Sequence, residues 1–359
     1  MSVVEIARLA GVSTATVSRV LNNHPSVRPE TSLQVRKVLE DIGYRRPLIR
    51  RGPKLGRRGG WRTGNIAVMA IGDQNHTRFR IPVFAAALAG IVRAARDHEL
   101  NVIIDDVPDL ESLVPALRDR QIDGALIVVP VMPDSAARVR DALDVMSDDV
   151  AIVRFMGETI GPSSVDHVGP DNIAVGAMAE RYLGSHGRRE LAYVTTQPTW
   201  DMNRVRAMGF IAAASRTRTV PTCYLLSDDP LEASYYGSRV VRCTTSDELA
   251  ERLTGASEKP DGIFFSRDAD ASLIYPLLVQ RGVRVGHDVS VISCDNDDVR
   301  LAMLNPRPMS IDLAADEIGR RAMLRLVGRM RKPSEPPLRT LVAPRLAVVG
   351  AAEAHSVEV

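Results

Sequence analysis

The chain has 359 residues, 45% of them hydrophobic and 25% charged. That is a globular profile, long enough for two or three compact units. No run approaches 18 consecutive apolar residues, so neither a transmembrane helix nor a membrane partner is expected. The opening MSVVEIARLAGVS lacks a basic stretch followed by a long apolar one, so no secretory signal is expected. Cys223, Cys243 and Cys294 lie far apart and form no CxxC pair. This speaks against a zinc ribbon, an iron–sulfur cluster or a disulfide framework, and for the cytoplasm.

The net charge of +2 is unevenly spread. Residues 1–62 hold thirteen Lys and Arg against four acidic residues, a net +9, and the remainder carries −7. A basic head on a mildly acidic body fits a polyanionic partner; the alternative is a basic tail that only aids solubility. Periodicity favours the first. Val4, Ile6, Ala7, Leu9 and Ala10 form an apolar stripe at helical spacing, closed by Gly11. Ser13 can cap a second helix, TATVSRVLN, with Val17, Val20 and Leu21 on one face and Thr14, Ala15, Ser18 and Arg19 on the other. After the break at Asn22-Asn23-His24-Pro25, a third helix runs from about Arg28 to Ile42. Pro29 lies in its first turn, and its apolar positions are Leu33, Val35, Val38, Leu39 and Ile42. Two short helices joined by A-G-V-S make a helix-turn-helix pattern, whose second helix fits the major groove of DNA.

The stretch VVEIARLAGVSTATVSRVLNNHPSVRPETSLQVRKVLEDIGY closely resembles the DNA-binding head of the lactose-repressor (LacI/GalR) family. The resemblance implies that Thr14, Ala15 and Arg19 read base edges. Arg19 could pair with guanine O6 and N7, worth roughly 1–3 kcal/mol of discrimination. Ser13, Thr16, Ser18 and Asn22 then serve as phosphate contacts or caps. The implied partner is double-stranded DNA with a pseudo-palindromic operator, read by a homodimer because one head covers only a half-site. The closing LAVVGAAEAHSVEV carries no sustained heptads, which favours a dimer over a tetramer.

Residues 47–64 depart from the family pattern. The family's hinge helix carries a leucine that wedges into the minor groove; here that position falls on Pro53, with Leu48 and Leu55 out of register. Three readings stay open: a shifted wedge, an arginine-rich arm in the minor groove with Arg50 and Arg51 as contacts, or a linker that touches phosphate only.

From Asn65 onward, apolar strands alternate with helical stretches, the pattern of parallel sheets covered on both faces. Strands are expected at 66–71, 101–105, 124–129, 150–155, 191–195, 262–266 and 289–293, and helices at 83–98, 171–186 and 203–215. No GxGxxG follows the first strand, so no nucleotide cofactor is expected, nor any other cofactor. The stretches FAAALAGIVRAA, IDGALIV, RVRAMGF, GHDVSVISCDN and NPRPMSIDLAADEIGRRAM are similar to the family's effector domain. The resemblance implies a small all-α helix-turn-helix head (1–46), a basic linker (47–64) and an α/β two-lobed body built like a periplasmic binding protein (65–359). Lobe 1 would hold about 65–167 and 297–331, and lobe 2 about 168–296 and 332–352.

A small-molecule effector, a sugar or related metabolite, would lie between the lobes at the carboxyl ends of the strands. Arg206 and Asp295 match the family's effector-binding arginine and aspartate. A guanidinium fork and a carboxylate suit adjacent hydroxyls. Asp73 borders the same cleft, and Trp200 could stack on a ring. Where the family has Asn-Asp, this chain has Arg267-Asp268. Arg267 would favour an acidic ligand, or would pair with Asp268 or Asp295. His167, near the first crossover, reads as structural.

These readings converge on a DNA-binding transcriptional regulator, a repressor gated by an effector. The alternatives are a cytoplasmic solute-binding protein and a regulator that ignores ligands. An enzyme is not expected, since the sequence shows no coupled nucleophile and base, no metal-ligand cluster and no phosphate loop.

Overall fold

The computed structural model describes residues 3–21, 27–42, 61–71, 81–109, 112, 121–129, 136–147, 150–158, 164–227, 235, 237–255 and 259–347. The chain divides into two units, residues 1–50 and 51–359.

The first unit contains α1 (Val3–Leu9), α2 (Thr14–Leu21) and α3 (Pro29–Asp41). Gly11 takes φ +60, the left-handed conformation that turns the chain out of α1. The Ser13 hydroxyl then accepts from the Thr16 amide at 3.1 Å and so caps α2. Ile6, Ala7, Ala10, Val17, Val20 and Val35 close a small core. Leu9 and Leu33 were expected on apolar stripes, yet they are 52% and 69% exposed. The core of so small a bundle admits only a narrow stripe. Leu33 lies two residues before Val35, about 200° round the helix.

The second unit runs in chain order β1 (Asn65–Ile71), α4 (Pro82–Asp97), β2 (Asn101–Val107), β3 (Gly124–Val128), α5 (Ala136–Ser147), β4 (Ala151–Phe155), β5 (Asp166–Pro170), α6 (Asn172–Ser185), β6 (Leu191–Thr195), α7 (Asp201–Arg216), β7 (Thr222–Leu226), β8 (Arg239–Cys243), α8 (Ser246–Gly255), β9 (Gly262–Phe265), α9 (Asp268–Gln280), β10 (Ser290–Cys294), α10 (Asp298–Leu301), β11 (Met309–Asp312), α11 (Ala315–Arg331), β12 (Arg339–Val342) and β13 (Arg345–Leu346). These strands form two sheets, ordered β12-β5-β4-β3-β1-β2 and β13-β11-β10-β9-β6-β7-β8. Pairing is parallel except for β13, which runs antiparallel to β11. Alternate residues of each strand enter opposite cores. Ile66, Val68 and Ala70 pack under α4 and α11, and Ala67 and Met69 under α5. In the second lobe, Leu191 and Tyr193 pack under α6 and α7, and Ala192 and Val194 under α8 and α9. Strands buried on both faces explain the near-continuous apolar runs.

The crossovers fall later than expected. The expected first lobe ended at His167, but Asp166–Pro170 is a full strand of the first sheet, paired with β4 and β12. The expected return at Asp297 is also displaced, because β11 still belongs to the second sheet through its pairing with β10. The third crossover was expected at Lys332. Instead the chain stays in the first lobe through β12 and passes over only between Val342 and Arg345. Asp166 holds that segment in place: it pairs with Arg329 at 2.8 Å and accepts from the Leu338 amide at 2.6 Å. β5, β12 and β13 are short and rich in polar residues, so their identity rests on their partners in space.

Candidate functional site

Two groups of residues carry the chemistry. In the head, Thr14, Ala15 and Arg19 are exposed on the outer face of α2, while Val17 and Val20 are buried on its inner face. Ser13 and Thr16 form the cap at the start of that helix, with their hydroxyls 2.9 Å apart. Ser18 lies in α2, but its side chain is outside the described residues. Asn22, Arg50, Arg51 and the hinge positions Leu48, Pro53 and Leu55 also fall outside them. α3 is tied to the turn by Gln34, whose Nε2 donates to the Ala10 carbonyl at 3.1 Å.

The second group lies at the carboxyl ends of β6, β9 and β10. Arg206, on α7, is 1% exposed. Its Nε donates to Asn172 Oδ1 at 3.0 Å, its Nη1 to the Ser266 carbonyl at 2.5 Å and its Nη2 to Asp295 Oδ1 at 3.3 Å. The local fold explains the position. Gly176 of α6 and Gly209 of α7 meet backbone to backbone: a Cβ on Gly176 would stand 2.0 Å from the Arg206 carbonyl. Only glycine lets the two helices approach so closely, and that approach brings Asn172 against Arg206. Asp295 follows β10 with φ +112. Burial pushes its carboxyl above the usual range, and Arg206 and Arg267 oppose that rise.

Arg267 differs from both pairings expected for it. Its Nη2 lies 2.6 Å from Asp270 Oδ1, and its guanidinium stacks 5.2 Å from the Trp200 ring centroid. Asp268 is turned inward instead. It accepts from Ser293 Oγ at 2.5 Å, the Asp297 amide at 2.6 Å and Ser310 Oγ at 2.9 Å, tying β10 and β11 together. Burial, with Asp295 beside it, pushes its pKa up to about 7 against these hydrogen bonds. Asp270 also accepts from Thr196 and Ser266, each at 2.6 Å. The structure thus brings Trp200, Arg206, Arg267 and Asp295 into one region. Asp73 lies outside the described residues.

Gln197 Oε1, Asn203 Oδ1, Arg204 Nε and Arg267 Nε are buried without a hydrogen-bond partner among the described residues. Asn172, Asp270 and Ser266 belong to the cluster but were not singled out from the sequence. Asn172 had a local signal. Asp171 caps α6 by accepting from the Ala174 amide at 2.9 Å, so the amide side chain that follows is not needed as a cap. His167 is buried with its Nε2 at 3.0 Å from the Met156 carbonyl, which agrees with a structural role.

A helix-turn-helix head followed by two parallel-sheet lobes with a polar cluster at the strand ends defines a class of DNA-binding transcriptional regulator. Residues 2–47 match the model for bacterial regulatory proteins of the lacI family, and residues 181–350 match a periplasmic binding protein-like domain. The chain thus carries a lacI-family DNA-binding domain joined to a periplasmic binding protein-like domain. It is 25% identical to the ribose operon repressor of Haemophilus influenzae, with 94% of each chain covered. It is 26% identical to catabolite control protein A of Priestia megaterium, covering 92% of this chain and 93% of that protein. Among solved structures it is similar to the transcriptional regulator CelR–cellobiose complex (TM-score 0.65, 22% identity, 97% and 98% covered). It is also similar to the lac repressor dimer bound to operator and the anti-inducer ONPF (TM-score 0.63, 16% identity, 97% and 98% covered). Members of the family act as regulators rather than enzymes. Among the described residues, no helix is long and apolar enough to cross a membrane.

Proposed function

We propose that this protein is a dimeric repressor, acting in the cytoplasm, that releases or grips its operator according to a small ligand bound between its lobes. The head reads DNA through Thr14, Ala15 and Arg19, with Ser13, Thr16, Ser18, Asn22, Arg50 and Arg51 positioning it on phosphates. The observation that carries the ligand reading is the Arg206–Asp295 pair, 3.3 Å apart with side chains 1% and 16% exposed at the strand ends. A fork donor beside a carboxylate acceptor matches two neighbouring hydroxyls. Arg206 is balanced by Asp295, and Arg267 by Asp270. The acidic ligand that an unpaired Arg267 would invite is therefore not favoured, and a neutral polyol is. The polar atoms of Gln197, Asn203, Arg204 and Arg267 that have no partner among the described residues support a polar occupant. Such a ligand would act by binding one lobe arrangement better than the other.

The test is a selection of random duplex DNA on the purified full-length protein at two salt concentrations. A two-fold symmetric site, bound less tightly at high salt, is expected. Sequence-blind binding would overturn the groove-reading role of α2. The fluorescence of Trp200 is then followed with D-ribose, cellobiose and D-gluconate. A response to a neutral sugar with none to gluconate fits the charge balance, and the reverse overturns it.

A further inference from the structure

Asn172 is the first residue of α6, two residues past the end of β5 and so just beyond the first crossover between the lobes. It is 2% exposed, and both ends of its amide are in use. Its Oδ1 accepts from Arg206 Nε at 3.0 Å, within the second lobe. Its Nδ2 donates to Glu158 Oε2 at 3.0 Å, and Glu158 follows β4 in the first lobe. Glu158 is itself held there. Its Oε1 lies 3.4 Å from Arg339 Nη2 on β12, and its carbonyl accepts from Arg154 Nη2 at 3.0 Å. The partners dictate the orientation of the amide. An arginine side chain has no acceptor, so only the Asn172 oxygen can face Arg206 and only its nitrogen can face Glu158.

We infer that Asn172 and Glu158 form an interlobe tie: Asn172 is a positioning residue that fixes the edge of Arg206 and links it to the first lobe. The inference rests on the reading of Arg206 as the ligand-binding arginine. With Nε held by Asn172 and Nη1 by Ser266, the Nη2 edge is the one left toward Asp295. A ligand that turns the guanidinium must also turn the amide, and with it the contact to Glu158. The tie is thus a direct hydrogen-bonded route by which occupancy of the second lobe reaches the strands of the first. Both links are buried and each involves a charged partner, which makes them stronger than exposed neutral pairs.

Three variants separate the tie from mere packing. Asn172→Asp keeps an acceptor for Arg206 but sets a carboxylate oxygen against Glu158, so the tie breaks. Asn172→Asp with Glu158→Gln reverses the hydrogen bond, since the new amide donates to the new carboxylate, and restores it. Glu158→Leu removes the tie from the first lobe without touching Arg206. The readout is the interlobe distance, measured by pulsed spin-label spectroscopy with Arg96→Cys on α4 and Arg216→Cys on α7, both exposed positions. The native cysteines are all buried, and labelled protein is diluted into unlabelled protein so that the pair within one protomer is seen. Asn172→Asp and Glu158→Leu should each broaden or shift the distance distribution, and the double variant should return it to that of the parent. The duplex enriched in the selection gives a second readout. Its Kd should change by about tenfold in either broken variant, the scale of one charge-assisted buried hydrogen bond, and recover in the double variant. Distributions that superimpose across all variants overturn the tie, as does a double variant no better than Asn172→Asp. The distance measurement needs neither ligand nor DNA, so the tie can fail while the regulator reading stands. A failed selection would leave the distance result intact.

Discussion

In each lobe, two helices on one face of the sheet cross with glycine against backbone. In the first, a Cβ on Gly90 would stand 1.9 Å from the Asp316 carbonyl, and one on Gly319 1.9 Å from the Ala87 carbonyl. In the second, a Cβ on Gly176 would stand 2.0 Å from the Arg206 carbonyl, and one on Gly209 2.2 Å from the Ile173 carbonyl. The crossings are near copies, but their polar loads differ. The second lobe buries Asn172, Arg206, Ser266, Asp268 and Asp270 at the carboxyl ends of its strands, where the crossing brings α6 and α7 together. The first lobe places much of its buried charge at the opposite end: Arg325 and Arg329 hold Asp166 at the start of β5. Beside them, Trp61 donates to the His98 carbonyl at 2.9 Å, and Asp123 accepts from the Thr63 and Gly64 amides. One scaffold therefore serves two tasks. In the second lobe the buried polar groups gather at the carboxyl ends of the strands; in the first, Asp166 fastens the segment that leads into β12, and Asp123 the residues that lead into β1.

The largest effect expected is from Arg206→Met. It leaves Asp295 and Asn172 without their buried partner, at a cost of about 3–5 kcal/mol. Thermal unfolding should show the loss, and the response to a neutral sugar should vanish. An equal loss from Arg331→Met, at the far end of the first lobe, would remove the distinction between the lobes. Next come the glycines. Gly319→Ala and Gly176→Ala each force a helix to shift, at about 1–3 kcal/mol. Only Gly176→Ala also displaces Arg206. It should alter the Trp200 titration, while Gly319→Ala should lower stability and leave the titration unchanged.

The lobes also differ in their dependence on pH. Burial, reinforced by Arg154, holds His167 in the first lobe at about 4, below the usual 6.5. The unfolded chain therefore binds the extra proton between those values. The stabilisation is full above pH 6.5 and is lost as pH falls toward 4. Asp268, in the second lobe, is raised from 3.8 to about 7. Here the folded protein holds the extra proton, so stability is full below pH 3.8 and is lost as pH rises toward 7. The two slopes oppose one another, each at most about 1.4 kcal/mol per pH unit. Asp268→Asn should flatten the falling limb and His167→Gln the rising one, as read from urea midpoints between pH 4 and 7.5. If both variants flatten the same limb, the assignment of one sign to each lobe is wrong.

How far the sequence carried this depends on the range of each signal. Ser13, Gly11 and the Val17–Val20 face were legible because capping and helical spacing act within a few residues. Arg206 and Asp295 were singled out only through the resemblance of RVRAMGF and GHDVSVISCDN to the family's motifs, since a lone helix arginine and a loop aspartate carry no local signal of their own. The partner of Arg267 was not. Three acids stood near it, and the choice of Asp270 follows from Asp268 being taken up by Ser293 and Ser310, residues far along the chain. The crossovers failed for a similar reason, since β12 and β13 have little apolar pattern and exist through the strands they join. Asn172 combines both cases: its place beside a cap is local, but its two partners lie on different lobes.

The smallest expected effect uses the only two tryptophans of the chain. Each lies under an arginine, Trp200 at 5.2 Å from Arg267 and Trp61 at 5.3 Å from Arg331. The surroundings differ. Arg267 is largely buried and locked to Asp270, with its side chain 13% exposed, whereas Arg331 is exposed at the end of α11. A cation over a ring gains more when desolvated, so Arg267→Ala should cost more than the roughly 0.5–1 kcal/mol expected for Arg331→Ala. Emission separates the two sites. In a Trp61→Phe background, Arg267→Ala should shift the Trp200 band to the red as water reaches the ring. In a Trp200→Phe background, Arg331→Ala should move the Trp61 band little, because that ring is 7% exposed and keeps its hydrogen bond to His98. Equal shifts would mean that the stacked pair in the second lobe is no more sheltered than its counterpart, and Arg267 would then be a surface cation rather than part of the wall of the cleft.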